Sequence, residues 1–213
     1  MSKIAVLIPF KADRRKTRLS RVLNPDQRRH LAELMLFDVL GAFSRAGLLS
    51  RCYVVSSDES VLALVRRSGA RSIAETRDEG VNAAVRAGIR ALGSDRGFMV
   101  VPADLPLLKP GEIMDVLKLK TGFGCVISPS GSFDGTNLLL FSGKAAPALS
   151  YDSDSFWNHV RGVARRGLSL AVYCGKGVQS DLDTPEDLLA FSRVRKRIPS
   201  VDFAREVIDR RES

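Results

Sequence analysis

The N-terminal region contains a short apolar run, KIAVLIP at residues 3–9, which is typical of a buried β-strand. A polar, strongly basic loop follows it, and Asn24-Pro25 then has the residue types with which an α-helix usually begins. Similar apolar runs at residues 52–56 and 97–101 alternate with helical patterns farther along the chain. Strands that alternate with helices predict parallel βαβ units, in which helices cover both faces of a central sheet.

The second half of the chain is less regular, because two strand-like runs at residues 124–128 and 137–141 follow each other directly. Back-to-back strands suggest that the sheet is mixed, although mostly parallel. The sequence contains no repeat and no linker-like segment. It therefore predicts an α/β protein with one three-layer αβα domain over residues 1–213, in which a basic C-terminal tail starts at about residue 193 and includes a short helix at residues 201–210.

The composition is that of an ordinary globular protein, with 45% hydrophobic and 27% charged residues in a chain of 213. No apolar stretch approaches the roughly 18 residues of a membrane span, so we expect no membrane partner. Three cysteines, Cys52, Cys125 and Cys174, lie far apart in apolar runs. Their odd number and their positions predict buried thiols in a cytoplasmic protein, rather than a disulfide framework or a zinc site.

The net charge of +9 is unevenly distributed, since residues 1–29 contain nine basic and two acidic side chains. Five of these basic residues lie within residues 11–18. Such a loop suits a polyphosphate ligand, but a solvated surface loop or a nucleic-acid-binding domain would have the same charge pattern. No aromatic residue is interleaved with the basic side chains of the loop, which argues against single-stranded nucleic acid as a partner.

The basic loop leaves the first strand at its carboxyl end, which is where open α/β sheets bind their ligands. Lysine and arginine there would neutralise a triphosphate, and each arginine can contact two of its oxygens. The chain contains neither the P-loop pattern nor the Rossmann glycine pattern, so the basic loop would have to take their place.

Three aspartates follow strand-like segments at the same predicted edge. Asp104 comes after the strand at residues 97–101 and lies between Pro102 and Pro106, which hold the backbone extended. Asp181 and Asp183 are two residues apart in an extended segment and therefore face one side. Each could simply cap a turn or a helix. Together they predict a site in which Asp104, Asp181 and Asp183 bind Mg²⁺.

Five segments, in this order along the chain, resemble the 2-phospho-L-lactate guanylyltransferase family. They are Pro9 with Lys16-Thr17-Arg18-Leu19-Ser20, then Ala103-Asp104-Leu105-Pro106, Asp134-Gly135-Thr136-Asn137, Ser155-Phe156-x-x-His159 and Asp181-x-Asp183-Thr184-Pro185. The resemblance implies a glycosyltransferase-A-like (nucleotide-diphospho-sugar-transferase) fold and transfer of GMP from GTP to 2-phospho-L-lactate, with release of pyrophosphate. That product serves coenzyme F-420 biosynthesis in methanogenic archaea, and related enzymes use phosphoenolpyruvate or 3-phosphoglycerate.

The motifs and the resemblance together imply a role for each candidate residue. The nucleotide would contact Pro9, Lys11, Lys16, Thr17, Arg18, Gly80, Asn82 and Pro102. The acceptor acid would contact Gly135, Thr136, Asn137 and Ser155, although Asp134-Gly135 could also be only a hairpin turn and Ser155 only a helix cap. The catalytic residues would be Asp104, Lys16 and Arg18. The β- and γ-phosphates would be held by Lys11, Lys16 and Arg18.

The acceptor phosphate is already an anionic nucleophile, so this reaction needs no general base. We therefore expect His159 to be an anchor or a packed side chain, and His30 to lie at the surface. The segment Tyr151-Asp152-Ser153-Asp154 replaces a glycine-rich turn of many relatives, and its two acids are unfavourable beside an anionic acceptor unless they point away.

Two other functions stay open at this point. One is nucleotidyl transfer to another acceptor, such as a sugar phosphate or the molybdenum cofactor. The other is a basic nucleic-acid-binding domain, against which the three acids argue, because they would repel a phosphate backbone. The sequence leaves the oligomeric state open, with a homodimer as one option.

Overall fold

A seven-stranded sheet forms the centre of the protein, which we describe from a computed structural model of residues 4–11 and 17–212. Its order is β3-β2-β1-β4-β6-β5-β7. Strand β6 is antiparallel to both of its neighbours, and the other pairs are parallel, as the mixed-sheet prediction requires. The strands are β1 Ile4–Pro9, β2 Cys52–Ser56, β3 Arg71–Ala74, β4 Gly97–Val100, β5 Cys125–Pro129, β6 Thr136–Ser142 and β7 Leu170–Val172.

Helices cover both faces of the sheet. They are α1 Pro25–Arg45, α2 Glu59–Arg67, α3 Val81–Leu92, α4 Pro110–Leu119, α5 Ser155–Arg165, α6 Pro185–Ser192 and α7 Pro199–Glu212, with short 3-10 helices at Thr17–Arg21, Leu49–Arg51 and Gly143–Ala145. Side chains alternate along β1, so that Val6 and Ile8 pack under α1, α2 and α4, whereas Ala5 and Leu7 pack under α3 and α5. This arrangement confirms the three-layer αβα prediction. None of the helices in the described ranges is long and apolar enough to cross a membrane.

Side-chain caps define where the helices around the sheet begin. The carboxamide oxygen of Asn24 accepts a hydrogen bond from the Gln27 amide at 2.9 Å, and Pro25 occupies the first turn of α1. Thr184 and Asp187 form the predicted capping box at the start of α6. The cap fixes the direction in which the segment containing Asp181 and Asp183 enters the helix.

The C-terminal region packs on the rest of the protein. Helix α7 contacts α1 and α6 through an apolar cluster in which Val201 and Ala204 are fully buried. The Ser200 amide donates a hydrogen bond of 3.1 Å to the carboxylate of Asp38 on α1. The predicted helix at residues 201–210 is present and slightly longer, and the apolar face of this basic segment is part of the hydrophobic core.

The prediction of three buried thiols is wrong for one cysteine. Cys52 and Cys125 are buried in β2 and β5, and burial raises the pKa of each thiol to about 12. Cys174 is exposed. Strand β7 ends at Val172, two residues before Cys174, so this side chain lies in the following loop and not in the sheet.

Candidate active site

A cavity of about 380 Å³ opens at the carboxyl ends of β1 and β4, beside the turn between β5 and β6. This is the edge at which parallel strands present their following loops, and where the sequence places the ligand. Ten of the predicted site residues line it: Pro9, Arg18, Pro102, Asp104, Gly135, Thr136, Asn137, Ser155, Asp181 and Asp183. Lys16 lies outside the described residues.

One side of the cavity, which we term the carboxylate wall, consists of Asp104, Asp181 and Asp183. Leu182 is fully buried between the last two, and its amide donates to the Asp104 carbonyl at 3.3 Å, which joins the two segments. Burial raises the pKa of Asp181, and the charges of Asp104 and Asp183 raise it further. A hydrogen bond of 3.1 Å from the Asn137 side chain acts in the opposite direction and lowers this pKa. The three carboxylates therefore repel one another.

The carboxylate wall does not form a complete metal cage. No group of three or more His, Cys, Asp or Glu side chains within the described ranges is arranged to hold a metal ion. Mg²⁺, however, is commonly bound by one or two carboxylates together with substrate phosphates and water. A buried carboxylate, Asp181, whose pKa is raised by burial and by two neighbouring carboxylates fits a divalent cation of that kind. The Mg²⁺ site stays a prediction.

The cavity lining is strongly acidic. Six aspartates line it, and Arg18 is the one basic side chain among the described lining residues. A triphosphate brought into this cavity would be repelled by the aspartates unless cations entered with it or approached it from the basic loop. The basic loop includes Lys16, which lies outside the described residues.

Arg18 reaches the cavity because the 3-10 helix Thr17–Arg21 is anchored next to it. Leu19 of this helix is fully buried in the apolar cluster that α1, α6 and α7 share. Thr17 and Arg18 are both exposed, but only Arg18 belongs to the described lining of the cavity. The structure therefore places one of the two predicted nucleotide-binding residues of this helix, Arg18, at the cavity.

Lys11 does not face this cavity. Its side chain is only 3% exposed, and its ammonium group forms ion pairs with Glu75 and, at 3.2 Å, with Asp78. It lines a small adjacent cavity with Phe10 and Met35. In this structure Lys11 neutralises two carboxylates of the loop after β3, which differs from the predicted contact with phosphate.

Gly80 and Asn82, which the sequence predicts as nucleotide contacts, have hydrogen-bond partners within the protein. Gly80 begins α3 with a backbone φ of +89°, which favours glycine, and its amide donates to Asp78 at 2.9 Å. Asn82 donates to the Asp152 carboxylate at 3.0 Å and accepts from the Tyr151 amide at 2.9 Å. Neither belongs to the described cavity lining. Asn82 instead holds the 151–152 segment beside the cavity.

The opposite side of the cavity, which we term the hydroxyl wall, consists of Thr136 and Ser155. Gly135 closes the preceding turn, since its amide donates to the Ser130 hydroxyl at 2.9 Å and its carbonyl accepts from the Ser130 amide at 2.8 Å. A Cβ atom at position 135 would lie 3.2 Å from the Ser130 side chain. Gly135 therefore belongs both to the hairpin turn and to the cavity lining, and its contact with the acceptor stays a prediction.

His159 stands behind the hydroxyl wall and is fully buried, which confirms the expectation of an anchored side chain. Its Nδ1 lies 2.9 Å from the Thr136 hydroxyl, and its Nε2 accepts a hydrogen bond of 3.1 Å from the Ser150 amide. Burial lowers the pKa of His159 to about 4. The spacing of Ser155 and His159, four residues apart on α5, was the only sequence signal for this arrangement.

The segment at residues 151–154, which replaces the glycine-rich turn of many relatives, forms part of the cavity rim. Asp152 and Asp154 both line the cavity, and the Asp152 carboxylate accepts a hydrogen bond from Asn82. Asp154 has a left-handed backbone with a φ of 55°, and Phe133, next to the lining residue Asp134, has a φ of 62°. Among non-glycine residues of the described chain, these two alone have positive φ. Strained backbone of this kind clusters at functional sites.

An α/β sheet of this kind, with helices on both faces, is the fold of solved nucleotidyltransferases. The same fold occurs in a nucleotidyl transferase from Methanothermobacter thermautotrophicus, which superposes with a TM-score of 0.64 at 15% identity over 95% of this chain and 98% of that one. The family model described as "Guanylyl transferase CofC like" matches residues 4–196. The protein belongs to this family of guanylyl transferases.

Two relatives show how closely the chain follows the family. A phosphoenolpyruvate guanylyltransferase from Rubrobacter xylanophilus is 40% identical over 192 residues, covering 88% of this chain and 92% of the relative. A 2-phospho-L-lactate guanylyltransferase from Methanocaldococcus jannaschii is 31% identical over 187 residues, covering 87% and 81%. These matches confirm the resemblance found in the sequence. The relative from Rubrobacter xylanophilus is bacterial, so membership of the family does not by itself indicate an archaeal protein.

Proposed function

We propose that this protein transfers GMP from GTP to a small phosphorylated three-carbon acid, with release of pyrophosphate, as a step of coenzyme F-420 biosynthesis. Membership of the guanylyl transferase family supports the reaction, and the cavity between a carboxylate wall and a hydroxyl wall supports the pairing of two different substrates. Phosphoenolpyruvate is the first acceptor to test, because the relative at 40% identity is named for it, and 2-phospho-L-lactate is the second.

In the proposed reaction an oxygen of the acceptor phosphate attacks the α-phosphorus of GTP. A new P–O bond forms there, and the bond from the α-phosphorus to the bridging oxygen of the β-phosphate breaks. Pyrophosphate leaves with that oxygen. The nucleophile is already an anion and needs no general base, and the described cavity lining accordingly contains no histidine. The protein then contributes positioning and charge neutralisation.

Asp104, Asp181 and Asp183 are the residues that would hold Mg²⁺, which supplies positive charge to the phosphates of GTP when it is bound. The mutual repulsion of these carboxylates supports this part of the proposal. Arg18 at the cavity and Lys16 of the basic loop would contact the β- and γ-phosphates and stabilise the leaving pyrophosphate. Contacts that strengthen as charge builds on the leaving group raise the rate as well as the affinity.

The proposal includes a cytoplasmic location, which the two buried free thiols Cys52 and Cys125 support. It does not include a nucleic-acid partner. The six aspartates of the cavity lining would repel a phosphate backbone as they would any polyanion that enters without cations.

A pyrophosphate-release assay tests the proposal. Each of the four nucleoside triphosphates is combined, with Mg²⁺, with phosphoenolpyruvate, 2-phospho-L-lactate or 3-phosphoglycerate. We expect release with GTP and at least one of the three acids, and none when the acid is left out. Turnover only with a sugar phosphate or with a molybdopterin acceptor would contradict the proposed substrate class. A larger rise in melting temperature with duplex DNA than with GTP and Mg²⁺ would favour the nucleic-acid alternative.

A further inference from the structure

Three polar side chains form a buried chain behind the cavity. Ser155 and Thr136 are 3% and 6% exposed, and His159 is 0% exposed. The Ser155 hydroxyl donates to the Thr136 hydroxyl at 3.2 Å, and the Thr136 hydroxyl lies 2.9 Å from Nδ1 of His159. The Tyr151 ring packs edge-on against the imidazole at 4.7 Å between centroids, which limits rotation of the histidine.

The partners of His159 determine where its proton resides. A backbone amide can only donate, so the bond of 3.1 Å from the Ser150 amide requires a lone pair on Nε2. A neutral imidazole with a lone pair on Nε2 carries its hydrogen on Nδ1. This tautomer is assigned from the hydrogen-bond network. Burial, which lowers the pKa of the ring, keeps it neutral at ordinary pH, although a hydrogen bond to the Ser155 backbone acts in the opposite direction.

The tautomer of His159 fixes the direction of the Thr136 hydroxyl. Because Nδ1 carries the one hydrogen of the ring, it cannot accept from the Thr136 hydroxyl. It donates to the Thr136 oxygen at 2.9 Å and shares this hydrogen with the Ser155 backbone carbonyl. The Ser155 hydroxyl donates to the same oxygen. Both lone pairs of the Thr136 oxygen are then used, and its own hydrogen is left to point elsewhere. Thr136 lines the cavity, which is the open direction.

We propose that His159 is a positioning residue that makes Thr136 a one-way hydrogen-bond donor to an anionic oxygen of the acceptor acid. The identity of the acceptor rests on the proposed function, whereas the proton arrangement does not. Carboxylate and phosphate oxygens accept hydrogen bonds and have no hydrogen to donate, so they match a fixed donor. His159 thereby acts on the acceptor without touching it.

The first test reads the tautomer in the wild-type protein. The chain has two histidines, and His30 is exposed, so two imidazole signals cover the whole protein. Long-range proton–nitrogen correlation spectra of nitrogen-labelled protein at neutral pH distinguish protonated from unprotonated ring nitrogens. We expect the spectrum to show one imidazole with a protonated Nδ1 and an unprotonated Nε2. The signals of this imidazole should be missing from the spectrum of His159→Asn, which assigns them to His159. A protonated Nε2 on His159, in either a neutral or a charged ring, overturns the inference.

The second test measures calorimetric dissociation constants for phosphoenolpyruvate and for GTP, each with Mg²⁺ present. His159→Leu removes the donor to Thr136, whereas His159→Asn keeps an N–H group near the position of Nδ1. We expect His159→Leu to weaken phosphoenolpyruvate binding by about tenfold and to leave GTP binding within about twofold. We expect His159→Asn to stay within about threefold of wild type for both. His159→Gln, which has no donor at the Nδ1 position, replaces the leucine variant if that variant does not fold.

A double variant separates positioning from general packing. If His159 acts through Thr136, adding His159→Leu to Thr136→Val should cause little further loss of phosphoenolpyruvate binding. Losses that simply add, or equal losses for GTP and phosphoenolpyruvate, overturn the inference, and so does a wild-type protein that binds none of the three acids. Binding of an acid without GMP transfer would overturn the proposed function alone.

Discussion

The two walls of the cavity are organised in opposite ways. On the carboxylate wall, like charges lie side by side, and the pKa of Asp181 is raised by burial and by Asp104 and Asp183. On the hydroxyl wall, neutral side chains bond to one another in a fixed chain that ends at a buried imidazole. The difference indicates that the first wall needs a cation before it can bind an anion, whereas the second is already arranged without a ligand.

The largest effect is expected at the carboxylate wall. Asp104→Asn should reduce turnover by at least about 1,000-fold, because the charge that holds the cation on the phosphates is reduced. The melting temperature should change little, and Asp115→Asn, an exposed carboxylate on α4, is the matched control. A near-normal rate at saturating Mg²⁺ would mean that this wall does not hold the metal.

Arg18 extends the comparison to the one basic side chain of the described cavity lining. Arg18→Ala should lower kcat and raise the KM for GTP, with a combined loss of about 100-fold in kcat/KM. Arg21→Ala, on the same 3-10 helix but outside the described cavity lining, should have little effect. A change in KM alone would show that Arg18 only binds the ground state. The same pair of measurements applies to Lys16→Ala.

Smaller and more selective effects are expected at the hydroxyl wall. Thr136→Val should raise the KM for the acceptor acid by about tenfold, through loss of one hydrogen bond to an anion. Ser155→Ala should raise the same KM by up to that factor, because the Thr136 oxygen loses the hydrogen bond that it accepts from Ser155 and its hydroxyl is less firmly oriented. GTP binding should stay nearly unchanged, and the exposed Thr121→Val is the control. A variant that loses GTP affinity and keeps its acceptor KM would reverse the assignment of the walls.

Lys11 lies outside both walls, and its replacement should affect folding more than activity. Lys11→Met leaves the buried Glu75 carboxylate without its ammonium partner, which should lower the free energy of unfolding by about 3 kcal/mol in urea titrations. Kinetics at a temperature where the variant is folded should show a KM for GTP close to wild type. A large rise in that KM with unchanged stability would restore the role that the sequence predicts for Lys11.

Much of the fold could be predicted because local signals and tertiary packing agree. The Asn24-Pro25 start, the Thr184 capping box and the short apolar run of β1 all correspond to observed elements. The position of the carboxylate wall could be predicted as well. Two-residue spacing places Asp181 and Asp183 on one side, and strand ends meet at one edge of the sheet.

The roles of Lys11, Asn82 and His159 depend on partners that are far away in the sequence. Lys11 is paired with residues 75 and 78, and Asn82 is bonded to the segment at residues 151–152. The proton position on His159 depends on the Ser150 amide, a backbone group that no side-chain pattern reveals. Such long-range pairings arise only once the sheet has brought its loops to a common edge.

The most direct test of guanylyl transfer follows the phosphates of GTP. GTP is labelled either at the α- or at the γ-phosphate and incubated with the protein, Mg²⁺ and phosphoenolpyruvate or 2-phospho-L-lactate. We predict that the α-label appears in a new adduct of the acid, in amounts equal to the pyrophosphate released, and that the γ-label appears only in pyrophosphate. Transfer of the γ-label to the acid, or pyrophosphate release that does not depend on the acid, would contradict the account.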